Sequence, residues 1–525
     1  MTCSRILRLS AVAILLLLSA CSGVGSNSRE LRYGLTLAPT GIDPHINASS
    51  ELGIPLASVY DTLVFRDPAG GFVPGLAQRW EIAADGISYT FFLRQDVRFH
   101  DGTPFNAESV KINLERIQNP ANKSQKARFM IDAIKTITVV DEFTVRLELA
   151  QPFAPLLDSL SQVYLGMASP TALAKWGADY QFHQVGTGPF RFTEYSPGDH
   201  LTLERNAGYA WGPSIYQNRT AQIDRIVFRI YADPATRTPA LLSGDADIMG
   251  EVLPRDAADL EAGGKFRVYP TSIPGQPLQF FLNTRLSPTD DPLVRQAILK
   301  AIDRRSLVET VFGRYSPVAT GPLTAVTWGA ADVVPADLFD RAGANALLEQ
   351  AGWKDSNGDD ILEKDGESLR VKIVFPSWGL SPQAAAVMEM HLKDAGVLAE
   401  LVQVPSFAAL VEAQKGGAYN LISMNLAGTD PDLLRSFFRS DGSYNWSRAQ
   451  DANLDALLDA AQCAESDPER LALYREAQVE IAAQSLLLPI RDYVNLNVAS
   501  QRVKSLRYSA QGWFPILIDV SVESN

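Results

Sequence analysis

Cysteine is scarce: the chain has three among 525 residues. Cys3 and Cys21 stand near the N-terminus, which leaves Cys463 alone in the rest of the sequence. A single thiol forms neither an internal disulfide nor a cysteine-rich zinc site, so the fold must rely on its apolar core. Set in an alanine- and leucine-rich helical stretch, Cys463 is expected to be a buried structural thiol. Histidine is also sparse. His45, His100, His183, His200 and His391 are scattered, with no HExxH or other paired spacing, and they predict no dedicated metal site. Basic residues are outnumbered, 47 against 60 acidic ones, for a net charge of -13. A nucleic-acid partner wants a basic face, so that class is excluded. No P-loop, dinucleotide fingerprint, G-x-S-x-G elbow or cysteine–histidine signature is present, and nothing supports an enzyme or a bound cofactor. Internal repeats and low-complexity tracts are missing too.

Long apolar runs are limited to one near the start. Arg5 and Arg8 precede Ala11 to Leu18, a run shorter than the roughly 20 residues a membrane-spanning helix needs. This is the build of a secretory signal peptide over residues 1–20. Leu18-Ser19-Ala20-Cys21 then resembles the lipobox of bacterial lipoproteins, in which the chain is cut before the cysteine and lipid is attached to it. Cys21 is therefore the expected lipidation site. Residues 21–28 form a short polar tether, and two or more acyl chains would hold the protein stably on a membrane. The rest would lie in the periplasm or cell envelope.

About 500 residues remain, enough for two or three domains. Arg32 to Leu37 reads as a first strand. Trp80–Ala83 and Ile87–Arg94 flank Asp85-Gly86 as a hairpin, and Asn106 caps a helix with Val110, Leu114 and Ile117 on one side. Asp291 caps a helix that carries Pro292 in its first turn and Val294, Ala297, Ile298, Ala301 and Ile302 as its stripe, with Gly313 placed to end it. Strands near 369–375, 401–404 and 419–424 alternate with helices. This β-α-β-α-β order predicts an α/β domain with a parallel sheet. Ligands of such sheets bind beyond the strands' carboxyl ends, where Asn425 to Asp432 fall.

Several segments, taken in order, resemble the family 5 solute-binding proteins of ABC importers, the oligopeptide-, dipeptide- and nickel-binding group. They are GLAQRWEIAADGISYTFFLRQDVRFHDGTPFNAESV from Gly75 to Val110, GTGPFRF from Gly186, SGDADI from Ser243, Asn283 with VRQA from Val294, and ALLEQAGW from Ala346. The resemblance implies a two-lobed α/β clamp of the periplasmic-binding-protein class II fold. Lobe I would hold residues 29–281 and 490–525, with an extra subdomain near 50–180, and lobe II would hold 282–489. Crossovers near Phe280 to Asn283 and Leu488 to Arg491 would form the hinge. It further implies a non-enzymatic, monomeric subunit that passes a peptide or peptide-like solute to a permease, with ATP hydrolysed by another chain. Opine or sugar-conjugated solutes, nickel chelates, a receptor-coupled sensor and an exported hydrolase are the alternatives.

Candidate ligand contacts follow. Thr40 and Asp43 lie after the first strand, in a loop that faces the cleft in relatives. Peptide-binding relatives often carry an aspartate for the ligand's ammonium group in the loop holding Asn425. The Asp430-Pro431-Asp432 alignment puts Ala427 there, with Asp430 as a substitute. Tyr444, Asn445 and Trp446 offer aromatic faces and an orienting amide. Two motifs have plainer readings. Asp355, Asn357 and Asp359 have early EF-hand spacing, but Asp360 and Gly366 stand where glycine and glutamate are required, so an Asn-Gly turn explains them. Gly186 to Phe190 lacks the P-loop lysine and reads as a structural turn.

Overall fold

The computed structural model describes residues 29–523 apart from Thr40 and Ala48. The expected signal peptide, the expected lipidation site Cys21 with its tether, and Thr40 thus lie outside the described residues.

Two mixed α/β lobes are built around separate sheets. The lobe I sheet has seven strands in the order Phe266–Ser272, Val494–Ser500, Ile248–Met249, Glu30–Leu35, Arg225–Ile230, His200–Arg205 and Phe190–Ser196. Glu30–Leu35 runs parallel to its neighbours on both sides. The expected hairpin forms from Ala77–Ile82 and Ser88–Leu93, with Asp85 accepting the Ile87 N–H across the turn. It joins Thr144–Leu149 and Ile134–Asp141 in a four-stranded antiparallel sheet, the inserted subdomain. Helix Ala107–Gln118 begins where Asn106 accepts the Ser109 N–H. Its Val110, Leu114 and Ile117 are buried in one continuous core with Leu31, Phe91 and Leu147, so the insert and lobe I share an interior.

The lobe II sheet has the order Leu398–Val404, Arg370–Pro376, Leu421–Ser423, Leu278–Leu282 and Leu487–Arg491. The first three strands are parallel, with helices Ser381–Lys393 and Phe407–Gly416 as the crossovers. Alternation along each strand divides the apolar residues between two cores. Leu278, Phe280 and Leu282 join Val371, Ile373 and Leu488 on one face, against helices Pro292–Ala301 and Ser381–Lys393. Phe281, Val374, Ile422 and Leu487 join Phe437, Trp446 and Tyr474 on the other.

Two expectations need adjustment. The Asp291-capped helix ends at Ala301 rather than Gly313, because Asp303 accepts the Ser306 N–H and starts a second helix, Arg304–Phe312, which Gly313 terminates. Sheet membership also moves the lobe crossovers. Leu278–Leu282 already belongs to lobe II and Leu487–Arg491 still does, so the chain changes lobes at 273–277 and 492–493. Gly186 and Gly188 serve close backbone contact: a Cβ on either would sit 2.1 Å from Val59 O or 2.6 Å from Ser58 O.

Candidate functional site

The loop after Leu421–Ser423, at the carboxyl end of a parallel strand of lobe II, is fastened to the first crossover. Gln276 N donates to Leu426 O at 2.9 Å, and Gly428 N donates to Pro274 O at 3.0 Å. Gly275 has φ +124, and a Cβ there would lie 2.4 Å from Leu426 O, so only glycine allows this approach. From the fastened loop, Thr429 reaches the other lobe. Its hydroxyl donates to Asp158 Oδ1 at 2.5 Å and accepts from Gln162 Nε2 at 3.3 Å. A second contact between lobes runs from Ala154 N to Gln462 O, 3.1 Å.

Charged groups gather around this junction. Arg66 Nη1 donates to Asp158 at 2.6 Å. Asp430 takes both Nη groups of Arg470, at 2.5 and 2.8 Å, and the guanidinium lies 5.3 Å from the centres of the Trp328 and Tyr474 rings. Burial raises the Asp158 pKa; Arg66 lowers it and the Asp430 charge adds to the rise. Burial and the Asp430 charge push Asp432 up to about 6, while Tyr474 donates to it at 3.0 Å. Two cavities open beside these pairs. One, of about 600 Å³, is walled by Arg66, Tyr89 and Phe153 of lobe I and by Trp328, Cys463 and Arg470 of lobe II. The other, of about 230 Å³, lies between Arg66, Tyr508 and Ser509 on one side and Val326, Trp328 and Thr429 on the other. Such a cleft suits a solute that carries both apolar and hydrogen-bonding groups.

The sequence-derived candidates divide. Asn425, Ala427 and Asp430 lie in the fastened loop; Ala427 is exposed, and Asp430 is buried against Arg470. Asp43 lies elsewhere. Its carboxylate is 4 % exposed, accepts two bonds from Arg116 at 2.6 and 3.1 Å, and caps the His45 N–H, which occupies it inside lobe I. The aromatic triplet is also not a cleft wall. Trp446 is 1 % exposed and packs near Phe281 in the lobe II core, Tyr444 stacks on Phe437 at 5.3 Å, and Asn445 holds its own turn through Ala449 O. The physical reason is the second apolar face of the lobe II sheet, which must be covered. Cys463 is exposed rather than buried, because its helix, Ala452–Cys463, ends at the large cavity. Arg66, Asp158, Thr429, Trp328 and Arg470 were missed. The one available signal was Arg470, a cation whose helical position falls on the buried side with Tyr474 and Ala477.

Among the described residues, no histidine joins a cluster of metal-ligand type. Asp355, Asp359 and Glu363 bring oxygens within 4.8 Å of one another, and Asp355 is occupied by the N–H groups of Gly358, Asn357 and Asp360, as an Asn-Gly turn requires.

Residues 71–448 match the sequence model of bacterial extracellular solute-binding proteins, family 5 middle region. The glutathione-binding protein GsiB of Salmonella typhimurium is 29 % identical over 459 residues, 86 % of each chain. NikA from Brucella suis, solved in complex with Fe(III)-EDTA, superposes with a TM-score of 0.84 at 24 % identity, covering 94 % of this chain and all of that one. The unliganded open form of MppA, a periplasmic murein tripeptide binding protein, gives a TM-score of 0.77 at 20 % identity over 95 % of this chain and 98 % of its own. These structures share the two-lobed fold.

Proposed function

This chain belongs to the family 5 bacterial extracellular solute-binding proteins, the binding subunits of ABC importers, and from that premise we propose that it captures an acidic, peptide-like solute between its lobes and closes over it. The observation that carries the reading is the cavity of about 600 Å³ with walls from both lobes. A solute touching both walls binds the closed form better than the open one, and shifts the population by no more than that difference. The Thr429–Asp158 and Ala154–Gln462 bonds would then be part of the closed state that a permease recognises.

A peptide-like solute is favoured by the relatives, whose names record glutathione and a murein tripeptide as ligands. Its acidity is favoured by the loop chemistry. Ala427 offers no carboxylate to a ligand ammonium, and Asp430 is taken by Arg470. An ammonium group buried there without a partner would cost several kcal/mol, so a cationic peptide terminus is disfavoured at that loop. Glutathione, with two carboxylates to one ammonium, is the first probe. The protein works as a monomer tethered through lipid on Cys21, and the family consists of transport binding proteins rather than enzymes.

The test is titration calorimetry and thermal melting with reduced glutathione, γ-glutamyl dipeptides and neutral tripeptides, with native mass spectrometry of the purified protein. Saturation at about 100 times Kd should add roughly 2.7 kcal/mol of stability. If no peptide-like compound is retained, releases heat or moves the melting temperature, the reading is wrong.

A further inference from the structure

Arg66 lines both interlobe cavities and also a third, of about 50 Å³, walled by lobe I residues. The third cavity is bounded by Ser58, Tyr60, Thr62, Ser161, Tyr216 and Ser509. Ser509 lines the 230 Å³ cavity as well, so Arg66 and Ser509 are shared by the lobe I cavity and the cleft cavity beside it.

Both side chains keep hydrogen-bonding capacity that the fold does not use. Ser509 Oγ is buried and has no partner among the described residues. Arg66 is 5 % exposed, and among the described residues Nη1 alone is engaged, by Asp158. Its Nη2 faces Gly70, whose missing side chain leaves room: a Cβ there would be 3.9 Å away. Asp430 occupies both Nη groups of Arg470, so that guanidinium has no free fork to offer, although its Nε is buried without a partner among the described residues. The buried, unpaired Ser509 Oγ and the Arg66 Nη2 that no protein acceptor takes call for a group that completes both. Guanidinium forks match planar oxyanions in bidentate geometry, and a serine hydroxyl adds a third donor.

Resting on the functional reading above, we propose that Arg66 and Ser509 form a carboxylate clasp at the lobe I cavity, and that the transported solute is held there by a carboxylate group. The clasp lies one residue from the contact between lobes, since Arg66 holds Asp158 and Asp158 accepts from Thr429 of lobe II. Filling it stiffens the side chain on which lobe closure rests.

The experiment compares glutathione with its two mono-amides, in which one carboxylate or the other is neutralised, on the wild-type protein, Arg66→Gln and Ser509→Ala. A charge-assisted hydrogen bond is worth about 1.5–3 kcal/mol, so one of the amides should bind the wild type roughly 10- to 100-fold more weakly than glutathione. Arg66→Gln should bind that amide and glutathione within about twofold of each other, and Ser509→Ala should narrow the ratio while keeping the wild-type melting temperature. Equal binding of all three compounds by the wild type overturns the clasp and leaves solute capture standing. So does an unchanged ratio in Ser509→Ala, which decides the matter even where Arg66→Gln does not fold. Failure of the wild type to bind glutathione and both amides overturns the clasp, and the peptide-like reading falls as well only if the γ-glutamyl dipeptides and neutral tripeptides also fail to bind.

Discussion

Glu51 offers a sharp test of how the interior of lobe I is held together. Its carboxyl group is 3 % exposed and accepts the Thr36 N–H at 3.1 Å. Thr36 Oγ1 lies 2.8 Å from Glu51 and 3.0 Å from Glu251, whose other oxygen accepts from Tyr493 at 2.9 Å. A hydroxyl has one hydrogen to give. Two ionised carboxylates cannot both be satisfied by it, and their charges repel. The arrangement closes if Glu51 keeps a proton and donates it to Thr36 Oγ1, which then donates to Glu251. Burial, reinforced by the Glu251 charge, accordingly pushes the Glu51 pKa up to about 7. The sign follows from proton counting. Between roughly pH 4.5 and 7 the folded state holds a proton that the unfolded state has lost, so stability falls as pH rises through this window. A rise from 4.5 to about 7 corresponds to about 3 kcal/mol at ~1.4 kcal/mol per unit. Glu51→Gln imitates the protonated acid without titrating. In urea unfolding at pH 4.5, 6, 7 and 8, the stability of the variant relative to wild type should climb by about 3 kcal/mol across the series. A parallel pair of curves, with the gap constant over that range, would refute the shared-proton arrangement.

Three further outcomes are expected. Trp446→Ala should lower stability by about 3–5 kcal/mol, seen as an earlier urea midpoint, because it empties a core site, while affinity for any solute measured on folded protein stays the same. His100 Nε2 donates to Gly188 O, 3.0 Å away, and burial holds the imidazole pKa down at about 4. The unfolded chain therefore binds the extra proton first, and this contribution is full above about pH 6.5 and lost as pH falls toward 4. His100→Gln should flatten the acid limb of a melting-temperature profile, and an equally steep limb would count against it. Cys21→Ser should move the protein from the membrane fraction to the soluble fraction of fractionated cells, and persistent membrane association would remove the lipid anchor.

Local chemistry explains which parts of this molecule could be read from residues alone. Val371, Ile373 and Phe375 announce a buried strand, and Asn106 and Asp291 mark helix starts, because each signal sits within a few positions of its effect. The run from Val294 to Ile302 misled as to helix length: the apolar stripe passes smoothly over the break, and only the Asp303 cap reveals it. The cleft was harder. Arg66, Asp158, Thr429 and Arg470 come from four separate segments, and, apart from the buried helical position of Arg470, nothing in the sequence separates any of them from an ordinary polar surface residue. Trp446 illustrates the opposite error. An aromatic beside an asparagine reads the same whether it faces a ligand or a sheet, and the sheet's second face decided it.

The placement of Val494–Ser500 between Phe266–Ser272 and Ile248–Met249 has a consequence for biogenesis. Lobe II is complete in one uninterrupted stretch, 278–491, whereas the first sheet lacks an inner member until nearly the whole polypeptide has crossed the membrane. The early half of the exported chain must therefore wait with unpaired strand edges, open to chaperones or to wrong partners. A chain that stops short of Val494 would leave that gap unfilled and should be cleared by proteolysis.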